Sequence, residues 1–485
     1  MYTKTYRSHV SIRRKHNAAQ DPPLQLQRHG GVISVVLYLS QNGIEKEKQG
    51  CWWWFQRFNQ RFTRRNNLSH LPTKEAASTT ALAKRWKPLL AFVPNLDFDD
   101  SIYFHPRGRN KYYSKSFMSF VDSVLALQAK AKAPLKRFHV KCKDVVGQYW
   151  VLEWIPKVLK RGVFDIDLRI PTSLGYCSRS RFYPLPCEIF VSKTLVKLKI
   201  EFEDGVNINV EDVDEANESV QLLFDNPNLV YLEYSDSMAD RYQQVSFDSL
   251  VEASLGLRLT PDQIVHVTCS EELTLIPEDK TNLNNLLMGI CNVKLLYLSC
   301  DTLKVLNYCS ETIPVFKNLM QLTIEPWVEW ESLPALLKNC PYLETLVFQG
   351  LHHDYTNRCD DEDGCLCKCP DDFGGRVVRD CLLSSPVKVL KILKFREKCD
   401  FDGIEDQIEH VKHFLETMPN LEHVTLYYNT TDDEDVMKVC KQLRKLPRVA
   451  SAKCNVKIIS DNLNLSSTMS TKRGRRSFTG FKNSG

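Results

Sequence analysis

The residues best equipped for chemistry lie in one run, His352-His-Asp-Tyr-Thr-Asn-Arg-Cys359-Asp-Asp-Glu-Asp-Gly-Cys365-Leu-Cys367-Lys-Cys369. Thiolates and imidazoles are the usual ligands of zinc, and four of them in a tetrahedral array close a structural site. The spacing argues against that use. Cys365, Cys367 and Cys369 are separated by single residues where ordinary zinc knuckles place two, and no second cysteine pair follows nearby. A long polar loop between two repeats has this composition without any ligand. No metal and no cofactor is assigned, and Cys359, Cys365, Cys367 and Cys369 are only the positions a zinc site would use.

Other chemistry is missing from the text of the chain. There is no Gly-rich phosphate loop, no Gly-x-Ser-x-Gly elbow and no His-Glu-x-x-His helix. No catalytic residue is assigned and no enzyme activity is expected. The Cys51-Trp-Trp-Trp-Phe-Gln-Arg-Phe58 cluster has the aromatic and basic content that stacks on single-stranded nucleic acid. It lacks helical or strand periodicity, so residues 1–66 are read as a basic, disordered extension. The net charge of +5 arises at the two ends. Residues 1–70 hold 12 Lys or Arg against 3 acids, and residues 470–485 hold 5 against none. The body between them is acidic, which excludes a protein-wide basic surface for nucleic acid. No apolar run reaches the ~18 residues that span a bilayer, and Met1 to Gln20 lacks the apolar core of a secretory signal. Seventeen cysteines without such a signal indicate a reducing compartment and mostly free thiols. Nucleus and/or cytoplasm is the expected location, and Lys472-Arg-Gly-Arg-Arg476 has the composition of an import signal.

The elements that organise the chain are leucine-spaced. Val293-x-x-Leu296-x-Leu298, Leu319-x-x-Leu322-x-Ile324 and Leu343-x-x-Leu346-x-Phe348 start 26 and 24 residues apart. That is the period of leucine-rich repeats, in which each unit supplies one short strand and cannot bury its apolar face alone. Looser copies stand at Leu135-x-x-Phe138-x-Val140, Val163-x-x-Ile166-x-Leu168, Leu195-x-x-Leu198-x-Ile200 and Leu229-x-x-Leu232. Another strand is expected in Ser249–Leu255. Before the repeats, Phe117, Phe120, Val121, Val124 and Leu127 share a helical face, and Trp150 and Trp154 fit helical packing within the core. Trp327 and Trp330 have similar spacing and the same expected role. Asn228, Asn318 and Asn339 flank strand turns, where their amides are expected to bond loop backbone.

Upstream, Leu71-Pro-Thr-Lys-Glu-Ala-Ala reads as a helix start with Thr73 as N-cap, and Pro88 ends the helix. The full string Leu71-Pro-Thr-Lys-Glu-Ala-Ala-Ser-Thr-Thr-Ala-Leu-Ala-Lys-Arg-Trp-Lys87, followed by Phe92-Val-Pro-Asn-Leu-Asp-Phe-Asp99, resembles the second half of a plant F-box. The resemblance implies that Leu71, Pro72, Ala76, Leu82 and Trp86 dock on a Skp-type adaptor of a cullin complex that transfers ubiquitin, while the repeats hold an unknown target protein. It also implies a Cys-rich loop without metal between repeats. One departure stands out. The family's box opens with Asp-x-Ile-Ser-x-Leu-Pro-x-x-Leu-Leu, whereas this chain has Phe62-Thr-Arg-Arg-Asn-Asn-Leu-Ser-His70. Each leucine-sized side chain lost from a docking face removes about 1.5–3 kcal/mol. Two readings follow: the substrate-recognition subunit of an SCF-type (Skp–cullin–F-box) ubiquitin ligase, or a leucine-rich interaction scaffold with a non-functional F-box.

After the Cys-rich loop, Ser384–Leu393 reads as a strand, and Ile404, Ile408, Val411 and Leu415 share a helical face. Leu421–Leu426 alternates as a strand, and Val436, Val439, Cys440 and Leu443 line a second helix. This order resembles the FBD module that closes many plant F-box/leucine-rich-repeat proteins, and physically it supplies the cap that a solenoid's last face needs. The expected class is α/β, a leucine-rich-repeat solenoid (horseshoe) preceded by a short α-helical partial F-box. Its divisions are 1–66 extension, 67–100 partial F-box, 115–350 repeats, 351–383 acidic Cys-rich loop, 384–460 FBD-like repeats and cap, and 461–485 disordered basic tail. The expected partners are the adaptor complex and a protein target, with neither membrane nor nucleic acid.

Overall fold

A computed structural model of the chain describes residues 73–74, 76–77, 90–100, 112–142, 148–170, 183–202, 206–207, 221–239, 241–259, 263–264, 277–309, 313–325, 332–352, 380–395, 404–428, 433–446 and 453–460. Sixteen strands occur among them. β1 (Asn95–Asp99), β2 (Arg137–Lys141), β3 (Asp165–Ile170) and β5 (Lys197–Phe202) begin a parallel sheet, with the short β4 (Tyr183–Pro184) outside it. β8 (Tyr231–Ser237) and β10 (Glu252–Arg258) continue it. β6 (Val206–Asn207), β7 (Gln221–Asp225) and β9 (Arg241–Ser246) lie apart, pairing as β4–β6 and β7–β9. β11 (Leu295–Leu298), β12 (Gln321–Ile324), β13 (Thr345–Phe348), β14 (Val389–Ile392), β15 (His423–Tyr427) and β16 (Asn455–Ile459) complete twelve strands in one sheet, all parallel and in chain order.

The signature residues explain this architecture. In a strand, alternate side chains point to opposite faces. Phe138 and Val140, Leu198 and Ile200, Leu322 and Ile324, and Leu346 and Phe348 all point inward with at most 1 % exposure. The first signature residue of each repeat is equally buried, including Leu135, Val163, Leu195, Leu229, Val293, Leu319 and Leu343. Each repeat therefore contributes to one apolar cluster that runs the length of the sheet. Because every strand is parallel, the chain must cross behind the sheet after each one.

The crossings differ between the two halves. In the tightly spaced half they are helices: α4 (Cys300–Cys309) follows β11 and α5 (Leu333–Lys338) follows β12. Ser299 starts α4 by accepting the Thr302 N–H at 3.1 Å on its hydroxyl. The Thr302 hydroxyl, fully buried, donates to Leu255 O at 3.0 Å and accepts the Leu257 N–H at 2.8 Å, which pins the helix to β10. Between β5 and β10, β7 and β9 stand where helices would be. The α3 helix (Pro277–Ile290) packs on β9 through Gly289, where a Cβ would meet Val245 Cγ1 at 2.1 Å. Asn228 ties turns together as expected, donating to Lys193 O at 2.8 Å, whereas Asn339 donates to Ala335 O at 2.9 Å within the helix it ends. Buried Asn226 acts like Asn228, donating to Ile189 O at 3.2 Å and Ser192 O at 3.0 Å.

At the N-terminal end, α1 (Tyr112–Lys130) and α2 (Gln148–Leu159) cover the first strands. Val121, Val124 and Leu125 form the buried face of α1, and Leu127 is exposed, contrary to the expected face. The reason lies one turn on: buried Gln128 donates to Val93 O at 2.6 Å, so the inward stripe runs through 121, 124, 125 and 128. Trp150 and Trp154 do pack together, their ring centroids 6.0 Å apart and Trp154 buried. The strand expected at Ser249–Leu255 begins later, at Glu252, because Asp248 and Ser249 form a turn.

At the other end, α6 (Asp380–Leu383) precedes β14. α7 (Ile404–Thr417) then buries Ile408, Val411, Phe414 and Leu415, and α8 (Asp433–Lys445) buries Val436, Val439, Cys440 and Leu443. The strands beside them, β14, β15 and β16, extend the same ladder. Residues 327, 330 and the cysteines at 359, 365, 367 and 369 lie outside the described residues. No group of three His, Cys, Asp or Glu suited to a metal ion occurs among the described residues.

Candidate functional site

Two regions bear on function: the segment that resembles part of a box and the outward face of the sheet. Of the box residues, Leu71, Pro72, Leu82 and Trp86 lie outside the described residues. Thr73, Lys74, Ala76 and Ala77 are helical. Thr73 is fully buried, and its Oγ1 accepts the Asp97 N–H at 2.7 Å. β1 is the first strand of the sheet, so one of its sides lacks a neighbouring strand, and an amide there needs another acceptor. Thr73 provides one. Ala76 is fully buried in the cluster that holds Leu90, Val93 and Leu96, so its methyl supports the helix from within. The segment carrying Thr73 and Ala76 is thereby tied to the first strand by a hydrogen bond and by packing.

The outward face is set by the positions between the signature residues. Strand register aligns them into rows that cross the sheet. One row reads Asp97, His139, Asp167, Lys199, Glu233, Ser254, Tyr297, Thr323, Val347 and Lys391. A neighbouring row reads Asn95, Arg137, Asp165, Lys197, Tyr231, Glu252, Leu295, Gln321, Thr345 and Val389. Both rows change character near the middle of the sheet: the first carries charge up to Glu233 on β8 and the second up to Glu252 on β10, and both are uncharged from β11 to β13.

The ionic part is internally paired. Asp165 receives Arg137 Nε at 2.8 Å on one oxygen and meets His139 Nε2 at 3.1 Å on the other. Burial pushes its carboxyl up, but these two contacts outweigh that and hold it below the ordinary value. Arg169 lies 3.1 Å from Asp167, 3.3 Å from Glu201 and 3.9 Å from Glu233. Glu233 accepts from Lys199 at 2.5 Å and from the Tyr231 hydroxyl at 2.7 Å. Burial raises its carboxyl, and these donors bring it below the usual range. Lys199 also lies 4.9 Å from the centroid of the Tyr231 ring. Burial, and after it Glu233, pushes the Tyr231 phenol up to about 12. Beyond β10, burial followed by Glu325 raises Tyr297 to about 12. Glu325 itself accepts the Cys300 N–H at 3.1 Å, at the positive start of α4.

These rows escaped sequence reasoning. The signal was present, since charged residues fill the intervening positions of consecutive repeats, but pairing them requires the register. The arrangement offers a broad contact surface. The class of the chain is that of a mixed α/β protein built on a large parallel sheet of leucine-rich-repeat type.

Relatives define it further. No family model matches the chain. An Arabidopsis thaliana protein named as an F-box/LRR-repeat protein is 55% identical over 84% of this chain and 94% of its own length. A second with the same kind of name is 52% identical over 83% and 94%. A third, named as an F-box/FBD/LRR-repeat protein, is 42% identical over 81% and 87%. The chain belongs to the plant F-box/LRR-repeat family.

Proposed function

We propose that this chain is the substrate-recognition subunit of an SCF-type ubiquitin ligase. The box-like segment Leu71–Lys87, with Leu82 and Trp86, meets a Skp-type adaptor, and the outward face of a horseshoe-shaped solenoid holds a target protein. The chain supplies proximity and orientation, raising the effective concentration of target beside the transferring enzyme. The observation that carries this reading is the Thr73–Asp97 hydrogen bond with buried Ala76, which joins the box segment to the first strand of the recognition sheet. A receptor needs such a joint, because a floating box would not hold the target at a fixed distance from the adaptor. Nucleus and/or cytoplasm is the proposed setting. No described helix is long and apolar enough to cross a membrane.

The test is co-purification of the full chain with a plant Skp-type adaptor, beside a Leu82→Asp/Trp86→Asp variant. Binding that the variant abolishes is the expected result; absence of binding removes the reading. One observation favours a second reading, an interaction scaffold with a non-functional box. The segment Phe62–His70 lacks the apolar opening of the family's box. Under this reading, grafting an intact opening segment creates adaptor binding that the natural chain lacks.

A further inference from the structure

The residue just before each strand forms a third row, on the edge of the sheet. Its members are joined in series by backbone hydrogen bonds. Phe164 N–H donates to Lys136 O at 3.1 Å, Val196 to Phe164 O at 2.8 Å, Val230 to Val196 O at 2.8 Å, Val251 to Val230 O at 3.0 Å, and Lys294 to Val251 O at 2.8 Å. The row therefore reads Lys136, Phe164, Val196, Val230, Val251, Lys294. Its centre is apolar and open to solvent: Phe164 is 40% exposed, Val230 38% and Val251 37%. Single exposed apolar residues are ordinary, but three in one row, with half-buried Val196 between Phe164 and Val230, make a continuous strip. The core does not require them, because Val163, Leu195, Leu229 and Leu250 beside them are already buried.

Charge frames the strip. Lys136 and Lys294 are exposed, and neither has a carboxylate partner among the described residues. Lys197, also exposed and without a carboxylate partner among them, adds a third cation beside Val196. Further along the row comes Met320, and then a closed ion pair in which Lys388 lies 3.4 Å from Glu344. The open cations thus bracket the apolar centre. Five strand spacings separate Lys136 from Lys294, or about 24 Å. A segment of about seven extended residues covers that length.

We infer that this edge is a docking strip for a protein segment whose apolar residues are bracketed by carboxylates. The strip is one side chain wide, which suits a single polypeptide, whereas a membrane surface engages a broad amphipathic face. The apolar centre provides the burial, and the two lysines select against segments with basic ends. This inference concerns the edge rather than the outward face and does not depend on adaptor binding.

The experiment uses the full chain immobilised against displayed seven-residue libraries. Five positions are randomised between fixed ends that are Glu and Glu, or Lys and Lys. The expected result is at least tenfold greater enrichment from the Glu-ended library, with apolar centres. The charge reversal Lys136→Glu/Lys294→Glu is expected to turn the preference to Lys-ended peptides. Val230→Asp, at an exposed site, is expected to abolish both selections with unchanged circular dichroism and melting. Enrichment indifferent to the reversal or to Val230→Asp overturns the inference, as does no enrichment at all. Val230-dependent binding to phosphatidylserine–phosphatidylcholine vesicles, without peptide selection, overturns it in favour of a membrane surface. Adaptor co-purification by the reversed variant is expected to match the parent, which separates this test from that of the ligase reading.

Discussion

Strands β2, β3, β5 and β8 and strands β11, β12 and β13 belong to one sheet and share one core, yet they present different chemistry outward. The first group carries Arg137, His139, Asp165, Asp167, Arg169, Lys199 and Glu233 in paired contacts. The second carries half-buried Tyr297, Thr323 and Thr345 and a buried Val347, with no ion pair among the described residues on β11, β12 or β13 outward positions. The difference teaches that burial fixes only alternate residues of a parallel strand. The remaining positions are free to specialise, and here each half has done so separately. Paired charges at the surface gain little from meeting a ligand, because their attraction is already satisfied and screened. The uncharged half keeps its contact surface available.

The comparison breaks first if the cores differ. Leu198→Ala and Leu322→Ala remove equally buried side chains from the two halves. Each is expected to cost about 2–5 kcal/mol in denaturant unfolding. A large gap between them would mean that the halves do not share one core. The outward positions should differ in the opposite sense. Asp165→Ala strands Arg137 and His139 and is expected to cost about 1–3 kcal/mol. Its counterpart in the same row, Thr345→Ala, should stay within about 0.5 kcal/mol. Equal costs would erase the distinction between the faces.

Thr73→Val keeps the shape of the side chain but removes the acceptor of the Asp97 N–H. A loss of about 1 kcal/mol is expected, together with faster hydrogen exchange at Asp97. Unchanged exchange would show that the box segment is not held there. The last effect is one of direction. Asp165 and Glu233 have folded carboxyls below the ordinary values of 3.8 and 4.5. As pH falls the unfolded chain takes up their protons first, so the stability they lend is complete above about pH 5. It is lost as pH drops through 4.5 and 3.8 and then through the folded values. After correction for intrinsic rates, amides of β3 and β8 should lose exchange protection on acidification before those of β12 and β13. The reverse order would contradict the ionic assignment.

The core was legible because leucine spacing is a direct record of burial. Val293, Leu296 and Leu298, with their successors at Leu319 and Leu343, mark three strands almost to the residue. The helical faces of α7 and α8 were legible for the same reason. Where the interval lengthened, the text stopped deciding. Residues Gln221–Asp225 and Arg241–Ser246 form strands behind the sheet that the leucine pattern does not announce. Asn95–Asp99 stands out in the sequence only as part of a family string, although Leu96 and Phe98 alternate with polar neighbours as in any half-buried strand. The outward rows were hidden more deeply, since Arg137 and Asp165 are 28 residues apart and meet only through register. The joint between Thr73 and Asp97 spans 24 residues and is equally silent in the sequence.

The ligase reading is tested most directly by reconstitution. The full chain would be combined with a plant Skp-type adaptor, cullin, RING protein, ubiquitin and the ubiquitin-activating and conjugating enzymes. The account predicts adaptor-dependent ubiquitin ladders on the chain itself, lost in the Leu82→Asp/Trp86→Asp variant. Transfer that is absent, or that persists without the adaptor, would contradict it and leave a leucine-rich scaffold.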